Sequence, residues 1–182
     1  NADADAIGRS LNMAGIPWRF SGTSGLYARP EIRVLLSFLS AGADPGSSPD
    51  VYALAASELY GLGGEELSAI VSGARRRNRA IWDLLVEVEA GTSPTRVSEP
   101  TRVGVARLVA DLRRAIERAH ARPAGEVLYA FLRETGVLGR LAMDDSAAAE
   151  EALGNVARFF GIVRAQSALL ADDRAIFLAR HL

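Results

Sequence analysis

A mainly α-helical fold is predicted by three features of this 182-residue chain. Apolar residues recur at helical spacing in segment after segment from Pro30 onward. The breaks between segments are rich in turn formers, as in Asp44-Pro45-Gly46-Ser47-Ser48-Pro49 and Gly91-Thr92-Ser93-Pro94. Only residues 16–21 have the make-up of a strand, with an aromatic and aliphatic face that ends at Gly22.

Residues 3–14 read as a short amphipathic helix, with Ile7, Leu11 and Ala14 on one side. That helix and the strand after Gly15 cannot close a core alone. Next, Ile32, Leu35, Leu36 and Leu39 fall at i, i+3, i+4 and i+7 and predict a helix over 30–41. Pro30 suits its first position and Glu31 its first turn, where backbone N–H groups are unpaired. Ser48, before Pro49, is the expected N-cap of a helix over 49–59. Further helices are predicted over 65–72 and 79–89. The longest covers about 100–121, with Val105, Leu108, Val109, Leu112 and Ile116 as its buried stripe. Two more cover 125–135 and 146–168; in the second, Leu153, Val156, Phe160 and Val163 repeat at helical spacing. A last helix begins near Asp172-Asp173. The apolar stripes read as core, not as a cofactor box, so 28–182 is predicted to be all-helical and long enough to bury a core.

Composition narrows the function. Hydrophobic content of 49% and a formal charge of −1 describe a globular chain without strong charge bias. No apolar run approaches the roughly 20 residues of a membrane span. The acidic opening Asn1-Ala2-Asp3-Ala4-Asp5 lacks the build of a signal peptide, and cysteine is absent, so a cytoplasmic protein is expected. Lysine is absent too: all 21 basic residues are Arg, which excludes a phosphate-loop lysine and a Schiff-base lysine. Two distant histidines, His120 and His181, make a histidine-rich metal site implausible. The acidic pairs Glu65-Glu66, Asp144-Asp145, Glu150-Glu151 and Asp172-Asp173 are neighbours about 100° apart on a helix, a poor geometry for paired acid and base.

Two stretches have the chemistry to bind phosphate. Residues 74–122 hold 11 Arg against 6 acids, headed by Arg75-Arg76-Arg77 and Arg79, whereas residues 1–73 hold 4 Arg against 8 acids. Four Arg in five residues past a helix end make either a phosphate patch or a solvated turn that complements a helix C-terminus. The turn Tyr60-Gly61-Leu62-Gly63-Gly64 precedes a helix start. Its glycines allow close backbone approach, the helix offers its positive end, and the Tyr60 hydroxyl is a further donor. The alternative is a plain helix–turn–helix corner.

In order along the chain, Ile16-Pro17-Trp18-Arg19-Phe20-Ser21-Gly22, Tyr27-Ala28-Arg29-Pro30-Glu31-Ile32-Arg33 and Tyr60-Gly61-Leu62-Gly63 resemble the UvrD/Rep/PcrA group of superfamily-1 DNA helicases. There I-P-Y-R-x-x-G leads into F-F-x-R-x-E-I-K, and R-G-I-G follows some thirty residues later. Trp18 replaces the Tyr and Arg33 the Lys. The resemblance implies that residues 1–27 are a helix-strand remnant of the RecA-like motor domain 2A, and that 28–182 are the all-helical accessory domain 2B. It implies contact of Gly61, Leu62 and Gly63 with the backbone of duplex DNA near the fork, with 2B swivelling on its links to 2A to tune unwinding. Where the family often has P-K-R before the turn, this chain has Glu58-Leu59-Tyr60, which removes positive charge. No G-x-x-x-x-G-K-[ST] loop or apolar run ending in Asp-Glu is present. The expectation is therefore an ATP-dependent helicase parent chain that binds ATP and magnesium, and a fragment that binds neither and is inactive alone. Expected partners are duplex or forked DNA and the motor domains of the same parent. The alternative is a protein-docking module of that helicase without direct DNA contact.

Overall fold

In a computed structural model, residues 23–170 and 172–179 are described, and among them every regular element is helical. The helices are α1 (Thr23–Leu26), α2 (Pro30–Ala43), α3 (Ser48–Ala55), α4 (Gly64–Arg76), α5 (Ile81–Glu89), α6 (Glu99–Ala119), α7 (Ala124–Glu134), α8 (Val137–Met143), α9 (Ala147–Ser167) and α10 (Ala175–Leu178). The expected helix over 3–14 and strand over 16–21 lie outside the described residues, so the RecA-like remnant rests on the sequence alone.

Two helices organise the rest. α2 packs along α6, and the approach is close because Gly42 meets Ala115: a Cβ on Gly42 would sit 3.0 Å from the Ala115 Cβ. On one side of this pair lie α3, α4 and α5; on the other lie α7, α8, α9 and α10. A single apolar core runs through both sides, including Ile32, Leu35, Leu54, Ile70, Leu85, Leu108, Leu112, Leu128 and Phe159. Phe38 of α2 and Phe131 of α7 stack with centroids 3.8 Å apart, and Tyr27 meets Phe159 edge-on at 6.4 Å. The carboxyl-terminal segment is pinned across the start of α7 by Ala175 N–H to Arg122 O and Ala124 N–H to Asp173 O, an isolated antiparallel bridge.

Local signals place most boundaries. Pro30 occupies the first turn of α2 and Glu31 follows it. Ser146 caps α9 by accepting from the Ala149 N–H at 3.2 Å. Several expectations are corrected. Ser47, not Ser48, is the N-cap residue of α3; its hydroxyl donates to Asp50, and Ser48 accepts from the distant Ile81 N–H. That helix ends at Ala55, with residues 56–63 forming turn and loop. Arg79 precedes α5 rather than starting it, and the last helix begins at Ala175. In α9 the fully buried ring is Phe159, while Phe160 is half-buried. α8 follows Gly136, whose φ of 72° is left-handed backbone, and its half-buried Val137, Leu138 and Leu141 are too short a pattern to read from sequence.

Candidate nucleic-acid interface

α4 joins the two stretches singled out above. Leu67, Ile70, Gly73 and Ala74 are buried, while Glu65, Ser68, Ala69, Ser72, Arg75 and Arg76 are exposed. The helix thus presents one solvent-facing stripe, with the glycine turn at its start and the arginines at its end. At 1.5 Å per residue the two ends are about 18 Å apart.

The turn divides into an inner and an outer half. Tyr60 is buried and its hydroxyl donates to Asp111 Oδ2 at 3.0 Å, so it is not free to donate to a phosphate; this corrects its place among the expected contacts. Burial, then the charge of Asp111, pushes the phenol far above its usual range. Burial also raises the Asp111 carboxyl, against the pull of the Tyr60 hydroxyl and of Arg114, which is ion-paired to it. Leu62 also turns inward, over Gly104 of α6. Gly61, Gly63 and Gly64 are exposed. Gly61, with φ 64°, is the residue whose backbone requires glycine, and a Cβ there would meet nothing within 4 Å. Gly63, at φ −63°, is the N-cap residue and brings no side-chain cap, so the amides of Gly64, Glu65 and Glu66 find no acceptor among the described residues.

The Glu66 side chain lies beside Gly63, where a Cβ would stand 3.5 Å from its Oε2. Its carboxylate accepts from the Ser98 N–H, from Ser98 Oγ at 2.9 Å and from Thr101 Oγ1, tying the start of α4 to the start of α6. The Thr101 hydroxyl and the two Ser98 donors hold its pKa below the usual carboxylate range. Of the acidic pairs, Asp144 accepts from the Ser146 N–H and Asp172 binds Arg174, both local structural roles.

The arginine cluster also splits. Asn78, at φ 49°, ends α4 in the left-handed conformation, and the Arg79 N–H returns to Ala74 O at 3.0 Å. This bend carries Arg77 and Arg79 onto α5. Arg77 makes a bidentate pair with Glu87 at 2.6 and 2.9 Å; Arg79 reaches Glu87 and, at 3.3 Å, Asp83. The Arg77 hydrogen bonds depress the Glu87 pKa. Arg75 and Arg76 are exposed and make no ion pair among the described residues. Arg76 and Arg77 border a cleft of about 350 Å³ with Pro94 and Thr95. Of the four arginines, then, two are available to a ligand and two hold a helix end.

Chemically, this face offers hydrogen-bond donors and cations to an anion. Sequence reasoning missed Asp111, Ser98, Thr101 and Gly104, which set the turn's shape. Gly104 alone carried a signal, since an isolated glycine inside a helical pattern marks a close approach. No protein-family model matches the chain, and comparison with curated proteins finds no match.

Proposed function

We propose that this chain is the 2B-like accessory domain of an ATP-dependent DNA helicase of the UvrD/Rep/PcrA type, and that the exposed stripe of α4 contacts duplex backbone near the fork. Three ordered sequence motifs and an all-helical architecture support the family; the carrying observation for the contact is the stripe itself. It has unpaired amides behind open glycines at one end and ion-pair-free Arg75 and Arg76 at the other. Its length of about 18 Å matches about five base steps of duplex at 3.4 Å each. Glu58 and Glu65 place negative charge at the glycine end, so the arginine end supplies most of the attraction. On this reading ATP and magnesium are bound by the motor domains of the parent chain, which are its other partners in the cytoplasm. Among the described residues no helix is long and apolar enough to cross a membrane.

The test is a salt titration of binding to a forked and a blunt duplex. Backbone contact makes binding insensitive to sequence and weak, in the range of roughly 10⁻⁴–10⁻⁶ M. Affinity that ignores salt, or that survives loss of Arg75 and Arg76 unchanged, would sink the DNA reading and leave protein docking in its place.

A further inference from the structure

A second candidate surface lies away from α4. It is an open groove of about 990 Å³ bounded by α2, α3, α6 and α8, with Val34, Leu59, Leu132 and Val137 among its apolar lining. Arg33 from α2, Arg107 from α6 and Arg140 from α8 line it, and none makes an ion pair among the described residues. Arg107 and Arg140 donate to backbone carbonyls, Leu59 O at 3.4 Å and Thr135 O at 3.1 Å, and the Arg107 charge also acts on the nearby Asp111 carboxylate. Other guanidinium groups are matched by carboxylates: Arg113 is bidentate on Glu89 and Arg118 on Glu134. Two carboxylates also line the groove. Glu31 is held by the Asn155 amide at 2.8 Å, and Glu58 is exposed. Cations drawn from three separate helices therefore outnumber the carboxylates around an aliphatic floor.

We infer that this groove docks an acidic, amphipathic segment of a partner protein, whose apolar side chains enter the floor while its carboxylates pair with Arg33, Arg107 and Arg140. Guanidinium groups bind carboxylates in a two-point fork, and partial exclusion of water by the apolar anchors strengthens each pair. The volume is at the top of the range for small-molecule sites, and the open, extended lining suits several side chains better than one small anion. Single-stranded nucleic acid fits less well, because successive bases need aromatic platforms. Tyr52, 46% exposed, is the one exposed aromatic of the lining, and Glu58 repels phosphate. The inference is independent of the α4 contact.

A random 16-residue peptide library displayed on phage, selected on the chain and counter-selected on an Arg33→Glu/Arg140→Glu variant, tests it. The expected pool is enriched in Asp and Glu interleaved with apolar residues. The best synthetic peptide should lose at least tenfold in affinity to the double variant and nothing to Arg75→Ala/Arg76→Ala. Circular dichroism confirms that both variants keep their helix content, which is expected for exposed side chains. A pool without acidic bias, no enrichment over the counter-selection, or peptides indifferent to the double variant would each overturn the inference. So would an oligo-dT 20-mer that binds through the same arginines, which would assign the groove to nucleic acid.

Discussion

Gly104, in the first half of α6, lies so close to the glycine turn that a Cβ on it would stand 2.3 Å from the Tyr60 carbonyl oxygen and 2.9 Å from the Leu62 side chain. Helix propensity alone favours Ala over Gly by about 1 kcal/mol in a helix interior. Overpacking against backbone costs about 1–3 kcal/mol or more, so the steric term wins. Gly104→Ala is expected to lower stability in chemical denaturation. Unchanged or increased stability would mean that the turn does not lie against α6.

Tyr60→Phe separates structure from DNA contact. It removes a hydrogen bond to a charged acceptor, worth about 1.5–3 kcal/mol, and leaves Asp111 with Arg114. The expected outcome is lower stability with duplex affinity unchanged under conditions where the variant is folded. A specific loss of affinity would restore Tyr60 to the contact surface.

Arg75→Ala/Arg76→Ala and Arg77→Ala should differ in kind. Each lost phosphate contact flattens the slope of log K against log salt by about 0.9, so the double variant should flatten it by about 2. Arg77→Ala should leave the slope nearly unchanged, because that guanidinium is held by Glu87. Equal effects from the two variants would count against the division of the cluster.

The Glu66 tether has a predictable pH dependence. Its folded pKa is depressed below the ordinary 4.5, so its stabilisation is fully present above that value and is lost as pH falls through the folded pKa. The Tm difference between wild type and Glu66→Gln should therefore be largest near neutrality and shrink in acid. A difference that does not vary with pH would show that the charge on Glu66 is not what ties α4 to α6.

In α9 the two neighbouring rings should respond unequally. Phe159→Ala removes a fully buried ring and should cost about 3–5 kcal/mol, whereas Phe160→Ala should cost clearly less. Equal losses would restore the stripe read from spacing, in which Phe160 stood.

Helix after helix was legible in the sequence, because apolar spacing and the Pro, Gly and Ser signals at the ends are local. Ile32, Leu35 and Leu39 face inward as their spacing predicts, and so do Val105, Leu108 and Leu112. The choice between Phe159 and Phe160 was not legible, since adjacent positions near the stripe's edge are told apart only by what packs against them; Tyr27 does so here.

The candidate site was legible as residue types and not as roles. Sequence alone determined that a glycine turn and an arginine run flank one amphipathic helix. Only the tertiary structure decided that Tyr60 is spent on Asp111, 51 residues away, and Arg77 and Arg79 on Glu87, leaving Arg75 and Arg76 open. The physical reason is range: periodic burial follows from the next turn of the same helix, whereas a charged or polar side chain takes whichever partner the packing of distant helices brings within about 3 Å.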